Sequence, residues 1–453
     1  MDAATAVSRA EESGVRLVRF LYCDNGGIIR GKASHVRDLA RRMAEGIGQS
    51  LALQAFSGAD TLAKVEGLAP VGEFRLVPDP DTFVVLPHAP HSAMVLCDMY
   101  DVERRPWAVC PRGFLKRVVA EAAEMGLVAE AAVEHEFYLV RETPQGYEPL
   151  DRSLCYSSIG FDSSAHVIDD VCAALEEQGL VVEQFMPELG PGQQELSIRH
   201  AELPRAADNA LLVRETVRGV ARRHGLLASF AAKPFLDQAG SGAHIHMSLW
   251  GAPGTARAGK NVFHDPNGRG GLSELGFHFV GGVLAHMRAL MALTCGSVNS
   301  YRRILPHFWS SAFVAYGFDN REGAVRVPST FWGREAESSN VELKPADHSG
   351  NPYLALGGLL AAGLDGIRRR LDPGEPQAGD PGHLSDADRE RAGIERLPRS
   401  LGAALDALEA DAVLTQALGP LLARAYVAVK RDECLHYAKV SPEEEARQHL
   451  YKY

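Results

Sequence analysis

Cysteine is scarce and unpatterned in this chain of 453 residues. The seven thiols, Cys23, Cys97, Cys110, Cys155, Cys172, Cys295 and Cys434, are odd in number and form no Cys-x-x-Cys pair. That pattern excludes a disulfide framework or a zinc ribbon and predicts buried thiols in a reducing compartment. Long apolar runs are missing as well. The most apolar stretch, residues 279–295, is interrupted by His286 and Arg288 and reads as a buried helix rather than a bilayer span. The first residues are polar and acidic, without a signal-peptide core, so a cytoplasmic protein with no membrane partner is expected. Excess positive charge is absent: Lys+Arg number 47 against Asp+Glu 58, a formal charge of −11. A dedicated nucleic-acid partner is therefore not expected. No internal repeat or low-complexity tract is present.

What remains is globular in composition, with 46% hydrophobic and 23% charged residues. The length fits two to three domains. Pro106 and Pro111 mark a boundary, dividing a small α+β unit at 1–105 from a larger one at 106–453. In the first, two strand-like runs flank Asn25-Gly26-Gly27, a hairpin signal. Residues 35–46 read as a helix, and residues 70–88 give two more short strands. Beyond Pro111, helices over about 111–125, 205–224, 272–295 and 350–370 alternate with strands. A further helix ends at Gly179 with Ser163 or Ser164 as its cap. The Pro/Gly/Asp-rich stretch 371–386 reads as an exposed loop, and two helices fill about 400–430.

Four strands repeat one design. Residues i, i+2 and i+4 of a strand share a face. That places Glu134, Glu136 and Tyr138 together, then Glu195, Ser197 and Arg199, then His244, His246 and Ser248, then Asn340, Glu342 and Lys344. The opposite faces are mostly apolar. One such strand is most simply half of a solvated sheet. Four together, with Glu and His dominating the polar face, point elsewhere. Carboxylates two apart repel each other unless a cation lies between them. Oxygen-rich ligation favours Mg²⁺ or Mn²⁺ over zinc. Glycine-rich turns, Gly190 to Gly192 and Gly240 to Gly242, sit beside these strands and allow close backbone approach. Arg302, Arg303, Arg321 and Arg326 punctuate apolar stretches and suit carboxylate or phosphate. The segment Gly254 to Asn261 nearly matches a phosphate loop. It ends in Asn rather than a hydroxyl residue, and no helix signal follows, so it is set aside.

These segments, in this order, resemble the motifs of the glutamine synthetase family. VEHEFYLV is similar to its E-x-E strand, PELGPGQQE to its E-x-x-x-G-Q-x-E segment and GSGAHIHMSL to its G-S-G-x-H-x-H signature. NSYRRILP, NREGAVRVP and VELKPADHSGNPYLAL resemble the later motifs. The resemblance implies an α+β fold: a small N-terminal β-grasp-like domain, then a catalytic domain whose curved antiparallel sheet is flanked by helices. It also implies self-association into a ring, commonly a dodecamer, with a neighbour's N-terminal domain completing the site. By motif position, Glu136, Glu188 and Glu195 would hold one divalent ion, and Glu134, His244 and Glu342 another. Glu183, His246, Ser248 and Arg326 would line the ATP site. Arg321 would contact phosphate during transfer and serve catalysis. Arg303 and Gly240 would bind the acid substrate, glutamate, with Lys344 beside them.

Departures from the family pattern concern the second substrate. Ammonia-using members carry P-G-Y-E after the arginine motif; here Pro306-His307-Phe308-Trp309 stands there, with Trp309 in place of the acid. Their N-terminal D-G-S-S motif is absent, and Asp60 is the nearest candidate for its aspartate. Both losses remove negative charge where ammonium would bind, while Phe308 and Trp309 suit a larger amine with a hydrophobic body. An aromatic or weakly basic amine, neutral at pH 7, would need less help from a base. The reading is thus an ATP-dependent ligase forming a γ-glutamyl amide through a γ-glutamyl phosphate. Two alternatives stand beside it: glutamine synthetase proper, and a non-catalytic member, which would be expected to have lost metal ligands. On the acid side, Ala239 replaces an amide residue before Gly240. Lys344 and Asn340 replace arginines flanking Glu342, and a lysine cannot make a bidentate fork.

Overall fold

The computed structural model describes residues 1–453. The N-terminal part builds a six-stranded sheet from β1 (Leu17–Cys23), β2 (Ile29–His35), β3 (Ile47–Ser50), β4 (Glu73–Pro78), β5 (Val84–Val85) and β6 (Ser92–Tyr100). Its order is β2–β1–β6–β4–β3, with β5 added alongside β6. β1 and β2 form the expected hairpin, closing at Cys23 opposite Ile29, whereas β1 and β6 run parallel. Alternate residues Val18, Phe20, Phe74, Leu76 and Val95 face Ala6, Ala10, Leu39 and Met43 of two covering helices, Ala3–Glu12 and Leu39–Glu45. Only the second lies in the segment read as helical.

Ten strands make the larger sheet: β7 (Leu127–Thr143), β8 (Gly146–Pro149), β9 (Val182–Pro187), β10 (Gln193–Ile198), β11 (Ala201–Glu202), β12 (Leu227–Ser229), β13 (Ile245–Gly251), β14 (Tyr316–Phe318), β15 (Val325–Val327) and β16 (Val341–Leu343). The order is β14–β15–β16–β13–β7–β10–β9, and the 17-residue β7 is its spine, also pairing β8, β11 and β12. The sheet is not wholly antiparallel as expected, because β14 and β15 at its edge run parallel.

The apolar sheet face is covered by helices. Glu274–Thr294 and Pro352–Arg369 pack in one continuous core with Val133, Phe137, Ile245, Met247, Val341 and Leu343. Glu274–Thr294 is by itself long and apolar enough to cross a bilayer, but two-thirds of its apolar window is buried inside the fold. Helix Pro111–Glu124 starts with proline in its first turn, as expected, and its cap is the Cys110 thiol, which accepts from Gly113 N–H. The helix ending near Gly179 is longer than the sequence suggests: it covers Ser158–Glu177 with Ser157 as cap, so Ser163 and Ser164 lie inside it and donate to backbone carbonyls one turn back. The C-terminal region holds four helices, Leu401–Ala410, Ala412–Leu418, Pro420–Tyr437 and Pro442–Lys452, where two were read. Asp411, Gly419 and Pro420 break the continuous pattern.

Candidate active site

The polar face of the larger sheet brings the four patterned strands side by side. Glu195 on β10 lies directly opposite Glu136 on β7, and Ser197 opposite Glu134. His246 on β13 lies opposite Glu342 on β16, which in turn faces Arg326 on β15. Glu134, His244 and Glu342 place one ligand atom each within 4.8 Å of one another. His244 Nδ1 is 2.8 Å from Glu134 and 3.6 Å from Glu342. Its Nε2 is buried without a hydrogen-bond partner, 3.8 Å from Glu136. Glu188, just past β9, hydrogen-bonds to Glu195 and accepts from Leu189 N–H at 2.8 Å. The six residues assigned by motif position thus share one cleft.

Electrostatics divide the cluster in two. Burial pushes the Glu195 carboxyl up to about 10, helped by the charges of Glu134, Glu136 and Glu188. Glu188 is raised by burial and then by Glu136. Opposing its own burial, Glu134 is held well below the usual carboxylate range by hydrogen bonds from His244 and His246. Glu342 is held down at about 2 against burial, first by Lys344 and then by the two histidines. His246 is lifted to about 9 despite its burial, chiefly by Glu134, and its Nδ1 lies 2.9 Å from Asn340 Oδ1. Crowded carboxyls that must protonate when alone, beside an unpartnered imidazole nitrogen, are a donor set suited to divalent cations.

Glu183, His246 and Ser248 line one cavity of about 540 Å³ beside the cluster. Arg326 is not part of that lining; its Nη1 donates to Glu342 at 2.6 Å. Glu183 is paired with Arg199 at 2.9 Å, and Ser248 Oγ accepts from the Trp250 indole. Sequence reasoning missed two further wall residues, Phe331 and Arg334. Both lie outside the recognised motifs, but an exposed aromatic pair, Phe331-Trp332, was a usable signal because such rings seldom face water unpartnered. A flat ring and a guanidinium suit a purine base and phosphate.

The residues expected to bind the acid substrate gather around Arg303. Its Nη2 donates to the Lys344 and Ala346 carbonyls, and its buried Nε has no partner. Gly240 makes this packing possible: a Cβ there would lie 2.5 Å from Arg303 Cγ and 2.6 Å from the Ala232 carbonyl. Gln193 Nε2 donates to Gly240 O and to Glu136, joining the glycine turn to the metal strands. Lys344 differs from expectation. It is buried with Nζ 3.3 Å from Glu342, so its charge is committed to that carboxylate.

The amine-site candidates are dispersed. Phe308 and Trp309 are each 60% exposed on a flap where His307, Trp309 and Ser311 all take left-handed φ. Phe308 lines a cavity of about 940 Å³ that reaches Leu189, Asp237 and Ala239 at the cluster's edge. Arg321 is exposed, makes no ion pair, and stands 6.0 Å over the Trp309 ring. Asp60 does not join the cleft of its own chain; it pairs with Arg30 at 2.8 Å on the N-terminal unit. A carboxylate nevertheless reaches the flap. Half-buried Glu322 accepts from the Trp309 N–H at 2.9 Å, and burial raises its carboxyl above the usual range. Its place inside NREGAVRVP, next to Arg321, was the overlooked signal. Tyr156 was also missed; its hydroxyl donates to Glu188 at 3.3 Å.

Comparison with known proteins agrees along the whole chain. The family model for the glutamine synthetase N-terminal domain matches residues 1–107, and that for the glutamine synthetase catalytic domain matches residues 108–449. The gamma-glutamylpolyamine synthetase GlnA3 of Streptomyces coelicolor is 37% identical, with 96% of this chain and 93% of that protein aligned. The glutamine synthetase of Pyrococcus abyssi is 34% identical over 93% of this chain and 91% of its own length. A crystal structure of a glutamine synthase homologue superposes with a TM-score of 0.85 at 34% identity, covering 97% of this chain and 99% of that one. A GmaS–ADP complex gives 0.85 at 31% identity, with 98% of both chains covered.

Proposed function

The chain belongs to the glutamine synthetase family of ATP-dependent carbon–nitrogen ligases, and from that premise we propose that it joins the γ-carboxylate of glutamate to an amine larger than ammonia. The observation that carries this reading is the flap. Where ammonia users place an acid, Trp309 presents an exposed ring, and its neighbour Phe308, equally exposed, lines a wide cavity. Such a wall gains from apolar area on the amine, which ammonium lacks. The likeness to a protein named gamma-glutamylpolyamine synthetase supports the same reading and favours an amine with a long methylene body. In the same cavity Asp237 offers a carboxylate to a distal ammonium.

A carboxylate has no leaving group, so phosphoryl transfer from ATP must first convert it to an acyl phosphate. In this reading Glu136, Glu188 and Glu195 would hold one divalent ion, and Glu134, His244 and Glu342 would hold another. Bound Mg²⁺ or Mn²⁺ would neutralise charge on the phosphates. His246, Ser248 and Phe331 seat the nucleotide in the neighbouring cavity. Arg303 binds the glutamate carboxylate with its unpartnered Nε, and Arg321, exposed and in no ion pair, contacts the transferring phosphoryl group. Glu322, its carboxyl raised by burial, takes a proton as the amine attacks the acyl phosphate and inorganic phosphate leaves. Asp60 could reach a cleft only on a neighbouring copy, within the ring that the family resemblance implies.

A screen of ADP release tests this: glutamate with ammonium, alkylamines, polyamines and anilines in turn. A polyamine or alkylamine is expected to give the highest kcat/KM. Efficient turnover of ammonium alone would instead mark the chain as glutamine synthetase proper. ADP release with none of the amines would favour the non-catalytic reading, against which the six intact ligand residues stand.

A further inference from the structure

The same flap carries a group that the ligase chemistry leaves unused. His307 belongs to the flap, and Asp380 and His383 belong to the Pro/Gly-rich loop some seventy residues on, yet one ligand atom from each lies within 4.8 Å of the others. We propose that these three residues form a second metal site, separate from the catalytic cluster, that takes one transition-metal dication of the zinc class and clips the flap to the loop.

The donors are prearranged on both sides. Asp380 caps the short helical turn Pro381–His383, accepting from Gly382 N–H at 2.6 Å through one oxygen. Its other oxygen meets His307 Nδ1 at 2.6 Å. The loop itself is anchored by Asn320, whose amide donates to the Gln377 and Gly379 carbonyls at 2.8 and 3.0 Å. Gly382 leaves room for the imidazole, since a Cβ there would lie 2.8 Å from His307 Cε1.

Hydrogen bonding accounts for His307 but not for His383, whose ring nitrogens bond to nothing in the chain. The two imidazole rings stack at 4.7 Å and 25°. Two imidazoles and one carboxylate suit Zn²⁺ and its neighbours, whereas Mg²⁺ prefers an all-oxygen shell. Three protein ligands leave a coordination position for water. The loaded site would hold Phe308 and Trp309 in one orientation, whichever amine they face.

Equilibrium dialysis of Zn²⁺ against the full-length protein tests the site, with Mg²⁺ and ADP saturating so that the catalytic cluster is filled. Wild type is expected to retain one more Zn²⁺ per chain than His383→Ala, and Asp380→Asn to bind that ion at least ~10-fold more weakly. His383 is exposed, so its replacement should leave the zinc-free thermal midpoint unchanged. Equal zinc stoichiometry and affinity in wild type and both variants would overturn the proposal.

Discussion

Glu195 and Glu136 face each other in register across β10 and β7, both buried, with no cationic side chain between them. Replacing Glu195 with Gln removes one carboxyl from a site where burial and three neighbours oppose its charge. The metal-free variant should therefore melt higher than wild type. Added Mg²⁺ should stabilise it less, and ligase activity should fall by at least ~10²-fold, the upper end of losses seen when only an outer-shell group is removed. Thermal melts with and without Mg²⁺, beside an ADP-release assay, read all three.

The pH dependence of metal-free stability has a definite sign. Glu195 binds its proton more tightly folded than unfolded, so its contribution is full below about 4.5 and is lost as pH rises towards about 10. His246 acts in the same direction between about 6.5 and about 9. Glu342, held at about 2, contributes above 4.5 and loses that contribution only on strong acidification. Metal-free protein should thus lose thermal stability steadily from near neutrality to pH 9. Saturating Mg²⁺, which displaces the Glu195 proton, should flatten that slope. An apo midpoint that rises over the same interval would contradict this electrostatic assignment.

Much of the cleft is legible in sequence because strand periodicity is a local property. Glu134 and Glu136, or His244 and His246, share a face whatever their neighbours are. Their registry is not local: no pattern within β10 says that Glu195 stops opposite Glu136 rather than Glu134. The position of Glu322 is likewise set by the loop that joins the parallel strands β14 and β15, and the sequence motif drew attention to Arg321 beside it. Strand β6 and the helix Ala3–Glu12 went unread for a different reason. Ser92–Tyr100 is buried on both faces, so it lacks alternation, and the helix is short, its buried face marked only by the small residues Ala6 and Ala10. Lys344 shows the limit of motif transfer: its position matches an arginine of the family, but the shorter head turns back to Glu342.

Trp309 should govern the choice of amine. Trp309→Ala removes an exposed apolar ring and the contact that ring makes with Arg321, so KM for a preferred long-chain amine should rise about 10-fold, the scale of a lost hydrophobic contact, and any fall in kcat through Arg321 should be shared by ammonium. Trp309→Glu restores an acid at the position where ammonia users have one, and the ratio of kcat/KM for ammonium to that for the amine should increase. Unchanged ratios in both variants would place amine selection elsewhere in the cavity.

Glu322→Gln separates the two roles the carboxylate combines. A glutamine oxygen can still accept the Trp309 N–H, so the flap should keep its place. The charge, and with it the capacity to take a proton, is lost. If Glu322 deprotonates the attacking amine, kcat should fall by about 10²-fold with KM for the amine little altered. The wild-type profile should show an acid limb set by a carboxyl titrating above the ordinary glutamate range, in keeping with its burial. That limb should vanish in Glu322→Gln, and Glu322→Asp should restore part of the rate. A purely structural role predicts the reverse: near-normal kcat and an unchanged profile in the glutamine variant, with the shorter aspartate more damaging than the isosteric amide.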